Sequence, residues 1–364
     1  MADTISFSRG APSLDIVDVE GLKRAAADAF DNDPGGTTAY GTSVGYVPLR
    51  EWIAEKHGVA VEQVLVTNGS MQADAFLFEL LVREGNEVVV EKPTYDRTLL
   101  NLRNRGAQVL AVELETDGID VEALETLLRG DASPVLAHVI PNFQNPAGYT
   151  LSADKRAALL RLAAEHDFVL FEDDPYIDIR FEGEGLPTML SQDDSDKVVY
   201  ASSFSKTVCP GIRVGYLVGP AELIKRVQGA ATNTYISPNM VAQSIVNQFA
   251  RSGRMDSAVE TVRNALRERR DVLVEALREQ LPEARFEPPS GGYFMWVDLP
   301  DEVDAAELQD AASERGVVFV KGSDFLLEGG KNSLRLAYSG VTAEQIPEGI
   351  ARLADALHSL GVRA

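Results

Sequence analysis

The strongest constraint on this sequence is a regular alternation of short apolar runs and longer helical patterns between about residues 60 and 235. The runs predict strands at Val64–Thr67, Glu87–Glu91, Gln108–Val112, Val135–Pro141, Phe168–Asp173, Val198–Ser202 and Val214–Gly219. Helical patterns fill most of the gaps, as at Ser70–Val82, Val121–Arg129 and Ala153–His166. Because apolar strands alternating with helices are typical of covered parallel sheets, we predict an α/β domain with a mostly parallel sheet.

The pattern changes after residue 236. Two long helices, Asn239–Ala250 and Met255–Gln280, lead through the Pro/Gly-rich turn Glu287–Gly292 into a strand at Gly292–Leu299. A helix, strands near Val317–Val320 and at Ser333–Tyr338, and a last helix follow, which predicts a smaller α+β domain.

The chain therefore divides into three predicted parts. Residues 1–40 form an N-terminal arm that belongs partly to the small domain, and Val19–Phe30 is their one regular pattern. Residues 41–236 form the large domain, and residues 237–364 form the small one.

Composition excludes several classes of site. A chain of 364 residues that is 45% hydrophobic can bury a large core, so it needs neither disulfides nor metals to fold. Its single cysteine, Cys209, cannot form an intrachain disulfide. The four histidines are scattered without metal-ligand spacing, and we expect no metal site.

Charge and hydropathy limit the partners. A formal net charge of −22 opposes binding to nucleic acid or an anionic membrane, because phosphate groups would repel the chain. Residues 1–10 lack the basic start and apolar run of a signal peptide. No apolar stretch approaches the ~20 residues of a membrane span. We expect a soluble, cytoplasmic protein.

The sharpest motif is Ser203-Phe204-Ser205-Lys206, which directly follows a predicted strand and precedes Arg213 by seven residues. Two hydroxyls and a guanidinium suit a phosphate group, and a lysine in a cationic, partly desolvated place can form a Schiff base. A surface lysine in a polar turn is the alternative. Ser-x-x-Lys also occurs in penicillin-binding enzymes and β-lactamases, but their Ser-Asp-Asn and Lys-Thr-Gly partners do not occur in this chain.

Three further motifs lie at the ends of predicted strands. Glu172-Asp173-Asp174-Pro175-Tyr176 places an acid and a phenol on one side of a turn, and a buried acid there is what a pyridinium nitrogen needs as its partner. Three consecutive carboxylates could also form a metal site or a solvated edge. Asn142–Gly148 contains Asn145-Pro146-Ala147-Gly148, which alone is a turn. Thr67–Gln72 runs through glycine into a helix. The free amides at the start of that helix would bind a phosphate, or the serine is a simple helix cap with no ligand.

As a set, these motifs resemble the fold-type I pyridoxal-phosphate (PLP) aminotransferases of class I/II. The resemblance is greatest to the branch with the 2-aminoadipate/kynurenine aminotransferases and the aminotransferase-like domains of MocR-type regulators. It extends from Ser8-Arg9-Gly10-Ala11-Pro12-Ser13 to Leu334-Arg335-Leu336. Because the motifs begin within ten residues of Met1 with no preceding helix-turn-helix, a MocR-type regulator is not expected.

The resemblance implies roles for individual residues. Lys206 would form the Schiff base and move the proton, Asp173 would keep the pyridine nitrogen protonated, and Arg335 would bind the substrate α-carboxylate. The cofactor-binding set that it implies is Tyr40, Gly69, Ser70, Met71, Tyr95, Asn145, Asp173, Tyr176, Ser203, Ser205, Lys206 and Arg213. Within this set Tyr176 and Asn145 would bind the ring 3′-oxygen, with Asn145 also close to the substrate, and Tyr95 would stack on the ring. Tyr40 would reach the phosphate from a neighbouring subunit, which implies a homodimer. Met71 stands where relatives often have glutamine, so only its backbone amide would contribute.

The implied function is transfer of an amino group from an L-amino acid, with glutamate as donor or product, to a 2-oxo acid in ping-pong half-reactions. Two alternatives remain: a PLP-dependent β-lyase or other non-transaminating PLP enzyme, and a non-catalytic PLP- or amino-acid-binding regulatory module. Intact Lys206, Asp173 and Arg335 argue against the regulatory module. Arg9 would read a substrate side-chain carboxylate or serve as a structural arginine, and the sequence leaves both open.

Overall fold

The computed structural model describes residues 4–361. The first three residues of the predicted arm and the last three residues of the predicted small domain lie outside it. Its strands are β1 Ile5–Ser6, β2 Val64–Thr67, β3 Glu87–Lys92, β4 Gln108–Glu115, β5 Gly118–Ile119, β6 Leu136–Val139, β7 Val169–Asp173, β8 Val198–Ser203, β9 Gly215–Val218, β10 Phe294–Asp298, β11 Val317–Val318, β12 Val320–Lys321 and β13 Ser333–Ala337. Its helices are α1 Val19–Asn32, α2 Pro34–Thr38, α3 Val47–His57, α4 Ser70–Leu81, α5 Asp96–Asn104, α6 Val121–Arg129, α7 Ala153–His166, α8 Met189–Gln192, α9 Ala221–Tyr235, α10 Met240–Arg251, α11 Arg254–Gln280, α12 Ala305–Glu314 and α13 Gln345–Ser359. Short 3-10 helices lie at Leu14–Ile16, Val61–Gln63, Pro210–Ile212 and Gly322–Phe325.

The central sheet has eight strands in the order β2-β9-β8-β7-β6-β3-β4-β5. The pairs β3–β4, β3–β6, β6–β7 and β7–β8 are parallel, whereas β2–β9, β8–β9 and β4–β5 are antiparallel. The predicted α/β fold with a mostly parallel sheet is confirmed. Because β7 and β8 are parallel neighbours, the chain segments after Asp173 and Ser203 leave the same edge of the sheet.

Helices cover both faces of this sheet. Val88, Val90 and Leu136 pack on one face with the apolar side chains of α4 and α9. Val89 and Ala137 pack on the other face with those of α6 and α7. Successive strand residues point to opposite faces, so a strand covered on both sides must be apolar throughout.

The second structured region is a three-stranded antiparallel sheet in the order β10-β13-β12, packed with α11, α12 and α13. Strand β1 pairs in parallel with β11, and the Ala337 amide donates to the Phe7 carbonyl. The first residues of the predicted arm are thereby fixed beside this sheet, and the segment that follows Phe7 is brought to the ends of the large-sheet strands.

Several predicted boundaries differ from the structure. Strand β4 continues to Glu115 beyond the predicted end at Val112, because its outer residues alternate between partly buried and exposed and no longer form an apolar run. The predicted strand near Val317–Val320 is two short strands separated by the buried Phe319. In the described part of the chain, no helix is long and apolar enough to cross a membrane.

Candidate active site

A cavity of about 530 Å³ lies between the carboxyl ends of the large-sheet strands and the three-stranded sheet. Residues from the predicted site that line it are Arg9, Ser70, Met71, Tyr95, Asn145, Asp173, Tyr176, Ser203, Ser205, Lys206, Arg213 and Arg335. Twelve residues spread over most of the chain therefore meet at one place. Within the described residues, no group of three or more His, Cys, Asp or Glu side chains could hold a metal ion.

Lys206 follows β8 and extends its side chain into the cavity. Its Nζ donates a hydrogen bond to the Gly10 carbonyl oxygen and lies 5.5 Å and 5.1 Å from the ring centroids of Tyr176 and Tyr293. Burial, and after it the positive charges of Arg335 and Arg213, lower the pKa of this amine to about 8. A minor fraction of Lys206 is therefore neutral and nucleophilic at pH 7, and most of it is neutral above pH 8.

Asp173 ends β7 and is 5% exposed. Its Oδ1 is buried without a hydrogen-bond partner, and its Oδ2 lies 3.5 Å from Nε2 of the fully buried His138. A buried carboxylate oxygen without a partner is costly, so this side chain is prepared to accept a hydrogen bond from a group within the cavity.

A turn whose chemistry suits an anion lies where β2 enters α4. The helix begins at Ser70, so the amides of its first turn have no partner within the helix and carry the positive end of its dipole. Arg213 Nη1 donates to Ser205 Oγ over 3.2 Å, and the Ser205 amide donates to Ser203 Oγ over 3.1 Å. Arg213 has a φ of 52°, which is a strained backbone conformation for a residue with a side chain.

Two glycines allow this turn to form. A Cβ on Gly69 would lie 2.3 Å from Arg213 Nη2, and the φ of Gly69 is +90°. A Cβ on Gly215, on the neighbouring strand β9, would lie 2.3 Å from the Ser70 amide nitrogen. Both positions need glycine because the backbone and the guanidinium approach closely there.

Arg335 lies on β13 and is 7% exposed. Its Nη1 donates to Asn145 Oδ1 over 2.8 Å, and its Nη2 donates to the Ser8 carbonyl over 2.6 Å. The rings of Phe294 and Phe325 lie 4.3 Å and 4.8 Å from its guanidinium carbon. Burial lowers the pKa of this guanidinium to about 10, and its buried Nε has no partner. It forms no ion pair with a carboxylate in the described part of the chain, which leaves it available to a carboxylate ligand.

The two predicted aromatic residues have different surroundings. The Tyr95 hydroxyl lies 3.8 Å from Met71 Sδ, and burial followed by the charge of Asp96 raises the pKa of Tyr95 to about 12. Tyr176 is 4% exposed and packs edge-on against Phe294, with ring centroids 5.8 Å apart. Burial also raises the pKa of Tyr176 well above its usual range, so both phenols stay protonated at neutral pH.

Two predicted residues do not line the cavity. Gly69 packs closely against the Arg213 guanidinium and is not among the residues that line the cavity. Tyr40 lies outside the cavity of its own chain and is 88% exposed.

Sequence reasoning missed Asp74, His138, Phe294 and Phe325. Asp74 lines the cavity and is the single polar residue between Ala73 and Phe78 of α4, and that contrast was the available signal. The two phenylalanines look like ordinary core residues in the sequence, and nothing local marks them as neighbours of Arg335.

A sequence profile described as "Aminotransferase class I and II" matches residues 2–353. The chain belongs to this family. It is similar to the 2-aminoadipate transaminase of Thermus thermophilus, with 34% identity over 361 residues that cover 98% of this chain and 90% of that protein.

Two solved structures extend the comparison. This aminotransferase is similar to the α-aminoadipate aminotransferase of Thermus thermophilus complexed with N-(5′-phosphopyridoxyl)-L-leucine, with a TM-score of 0.94, 33% identity, and coverage of 98% of this chain and 92% of the other. It is also similar to a Pyrococcus horikoshii kynurenine aminotransferase, with a TM-score of 0.95, 32% identity and coverage of 100% and 93%. The predicted fold-type I architecture is confirmed.

The cofactor of this aminotransferase is PLP, and the cavity has the chemistry to receive it. The first turn of α4 with Ser205 and Arg213 suits a phosphate dianion. The unpartnered Asp173 Oδ1 suits a protonated ring nitrogen. Lys206 supplies an amine whose pKa is already lowered.

Proposed function

We propose that this aminotransferase transfers an amino group from an L-amino acid to a 2-oxo acid in two half-reactions, with glutamate as donor or product. The observation that carries the proposal is that Lys206 and Arg335 line one cavity, where the guanidinium helps to lower the pKa of the amine. An amine beside a buried carboxylate-binding group is the arrangement that amino-acid chemistry at Cα needs.

The cofactor would be held by Lys206 through its amine, by Asp173 at the ring nitrogen, and by Ser70, Ser205 and Arg213 at the phosphate. PLP, when bound, supplies an aldehyde that accepts amino groups and a protonated ring that withdraws electrons from Cα. Arg335 holds the substrate α-carboxylate with its two outer nitrogens, and Asn145 keeps the guanidinium in place. Lys206 Nζ, uncharged above a pH of about 8, takes up and returns the proton at Cα.

Arg9 is the proposed contact for an acidic substrate side chain. It lines the cavity, and in the described structure its guanidinium forms no hydrogen bond or ion pair with another side chain. Arg97 also lines the cavity, but its Nε lies 3.4 Å from Asp96, which already balances its charge. Arg9 is therefore the rim cation that is free to pair with a second substrate carboxylate.

The assembly proposed for this site is a homodimer. Tyr40 is 88% exposed and Ile236 is 63% exposed, although large apolar side chains usually avoid water. In the proposal, Tyr40 reaches the phosphate in the cavity of a second copy. The cavity lies where the proposed large domain, residues 41–236, meets the small domain, residues 237–364.

The proposal is tested by the visible absorption spectrum of the PLP-loaded protein. We expect the cofactor band to decrease when glutamate is added and to return when a 2-oxo acid is added. Lys206→Ala should bind PLP without this cycle. A band that never responds to any amino donor, or release of ammonia in place of an aminated product, would favour the lyase alternative and contradict transamination.

Arg9→Ala tests the substrate class within this function. We expect kcat/KM for glutamate and 2-aminoadipate to fall by about 10-fold or more, because a charge-assisted pair is lost, with little change for leucine. Arg97→Ala is the matched control, and we expect no such selectivity from it. An equal loss for acidic and apolar donors would show that Arg9 has only a structural role.

A further inference from the structure

Helix α4 carries an acidic side chain into the cavity. Its sequence, Ser70 to Leu81, contains Asp74 between Ala73 and Ala75, ahead of a strongly apolar second half. Asp74 is 5% exposed and lines the same cavity as Asp173. A charged residue is rarely buried to this degree unless it has a partner.

In the described structure Asp74 has no such partner. Its Oδ1 is buried without a hydrogen bond, as is Asp173 Oδ1, and neither carboxylate forms an ion pair with a lysine or arginine among residues 4–361. Two residues that line one cavity therefore each have an unsatisfied carboxylate oxygen. Each can be satisfied by a hydrogen-bond donor or a cation brought into that cavity.

The charges around Asp74 indicate whether the group that satisfies it is a neutral donor or a cation. Burial, and after it the charge of Asp173, raises the pKa of Asp74 well above its usual range. The titratable groups around α4 at this place include Tyr95, Asp96, Arg97, Lys206 and Arg213, which line the cavity, and Arg105, which donates to the Ala75 carbonyl, with His138 beside Asp173. None of the five cationic residues that line the cavity, Arg9, Arg97, Lys206, Arg213 and Arg335, acts on the pKa of Asp74 as strongly as Asp173 does.

Two neighbouring buried carboxyls without a cation cannot both be ionised, because each opposes the charge of the other. A cation bound between them removes that penalty and allows both to ionise. The proposed function supplies such a cation, the protonated ring nitrogen of PLP at Asp173.

We propose that Asp74 is a second cofactor-binding carboxylate, which acts together with Asp173 on the protonated ring nitrogen of PLP. This inference rests on the proposed function, because it uses the role of Asp173. Asp74 is neutralised by a proton before the cofactor binds; on binding, that O–H bond breaks, and the proton passes to the ring nitrogen or to water. The ring nitrogen then faces two negative charges rather than one.

The test compares two cofactors that differ only at the ring nitrogen. PLP can carry a positive charge there, whereas 1-deazapyridoxal 5′-phosphate has a C–H group and cannot. Dissociation constants of both for the apoprotein are measured at pH 8 by tryptophan fluorescence. For Asp74→Asn we expect affinity for PLP to fall by about 10-fold or more while affinity for the deaza analogue stays within about twofold, since a contact to a charged group is lost.

Three variants make the result specific. Glu79→Gln removes the same charge from an exposed position of the same helix, and should leave both dissociation constants unchanged. Asp173→Asn should show the same selective loss as Asp74→Asn. Asp74→Ala, which removes the carboxylate without adding bulk, replaces Asp74→Asn if that variant does not fold.

The outcomes separate this inference from the proposed function. Equal changes for both cofactors in the Asp74 variants, or no change in either, would overturn the role of Asp74 whatever Asp173 does. If Asp173→Asn also fails to discriminate between the cofactors, the assignment of Asp173 in the proposed function is wrong as well.

Discussion

Arg335 Nη1 donates a hydrogen bond to Asn145 Oδ1 over 2.8 Å, and the two residues lie 190 positions apart in the chain. Asn145 belongs to the segment after β6 of the large sheet, and Arg335 belongs to β13 of the three-stranded sheet. The bond therefore joins the proposed cofactor side of the cavity to the proposed substrate side. Phe294 and Phe325 fix the guanidinium plane, so little conformational freedom remains to be lost when a carboxylate binds.

Arg335→Lys should lower kcat/KM for every L-amino acid on the order of 100-fold, because an ammonium cannot reproduce two parallel hydrogen bonds to a carboxylate. The loss should be the same for acidic and apolar donors, since all share the α-carboxylate. Steady-state kinetics with glutamate and leucine, together with the PLP dissociation constant, provide the measurement. A large loss of PLP affinity instead would place Arg335 in cofactor binding.

Covalent loading of PLP onto the apoprotein should depend on pH through Lys206. The pKa of its amine is lowered to about 8, so the amine is mostly protonated below that pH and mostly neutral above it. The loading rate should rise by about tenfold per pH unit up to pH 8 and then level off, because only the neutral amine is a nucleophile. Stopped-flow absorbance between pH 6 and 10 measures this profile.

The variant Arg335→Gln tests whether the pKa of Lys206 determines this pH profile. Removing the positive charge that most strongly lowers the pKa of Lys206 should move the midpoint of the profile to higher pH. An unchanged midpoint would mean that another group controls the observed rate.

Much of the fold and part of the site could be predicted from sequence, because their signals are local. Asp173 ends one apolar strand and Lys206 follows another, and parallel strands bring their ends to one sheet edge. Arg335 has no such signal, since its position opposite Asn145 depends on how β13 packs against a distant segment. Asp74 does have a local signal, an acid in an apolar part of α4, but that it lines the same cavity as Asp173 depends on how α4 packs.

Gly215→Ala should weaken PLP binding by about 10- to 100-fold. The added Cβ would lie 2.3 Å from the Ser70 amide nitrogen and 2.6 Å from the Gly69 carbonyl carbon. The turn between β2 and α4 must then shift, at a strain cost of about 1–3 kcal/mol, which falls on the amides proposed for the phosphate. Gly211→Ala is the matched control, since a Cβ there meets nothing within 4 Å. Equal PLP affinities for the two variants would contradict a phosphate site at this turn.

Two inactive variants should restore activity when they share a dimer, if Tyr40 serves the cavity of the second copy. Lys206→Ala removes the amine from its own cavity, and Tyr40→Ala removes the proposed phosphate contact from the cavity of its partner. In a mixed dimer, one cavity then has both defects and the other has neither. Differently tagged chains are co-expressed, the mixed dimer is purified through both tags, and its activity is compared with each parent.

We expect the mixed dimer to reach about half the activity of the unaltered protein, since one of its two sites is intact by the symmetry of a twofold dimer. Each parent dimer carries its defect in both cavities and stays impaired. If Tyr40 acted within its own chain, each cavity of the mixed dimer would keep one defect and no activity above the parents would appear. Tyr40 is 88% exposed in its own chain, so it does not contribute to the cavity of that chain. This exposure favours restored activity in the mixed dimer.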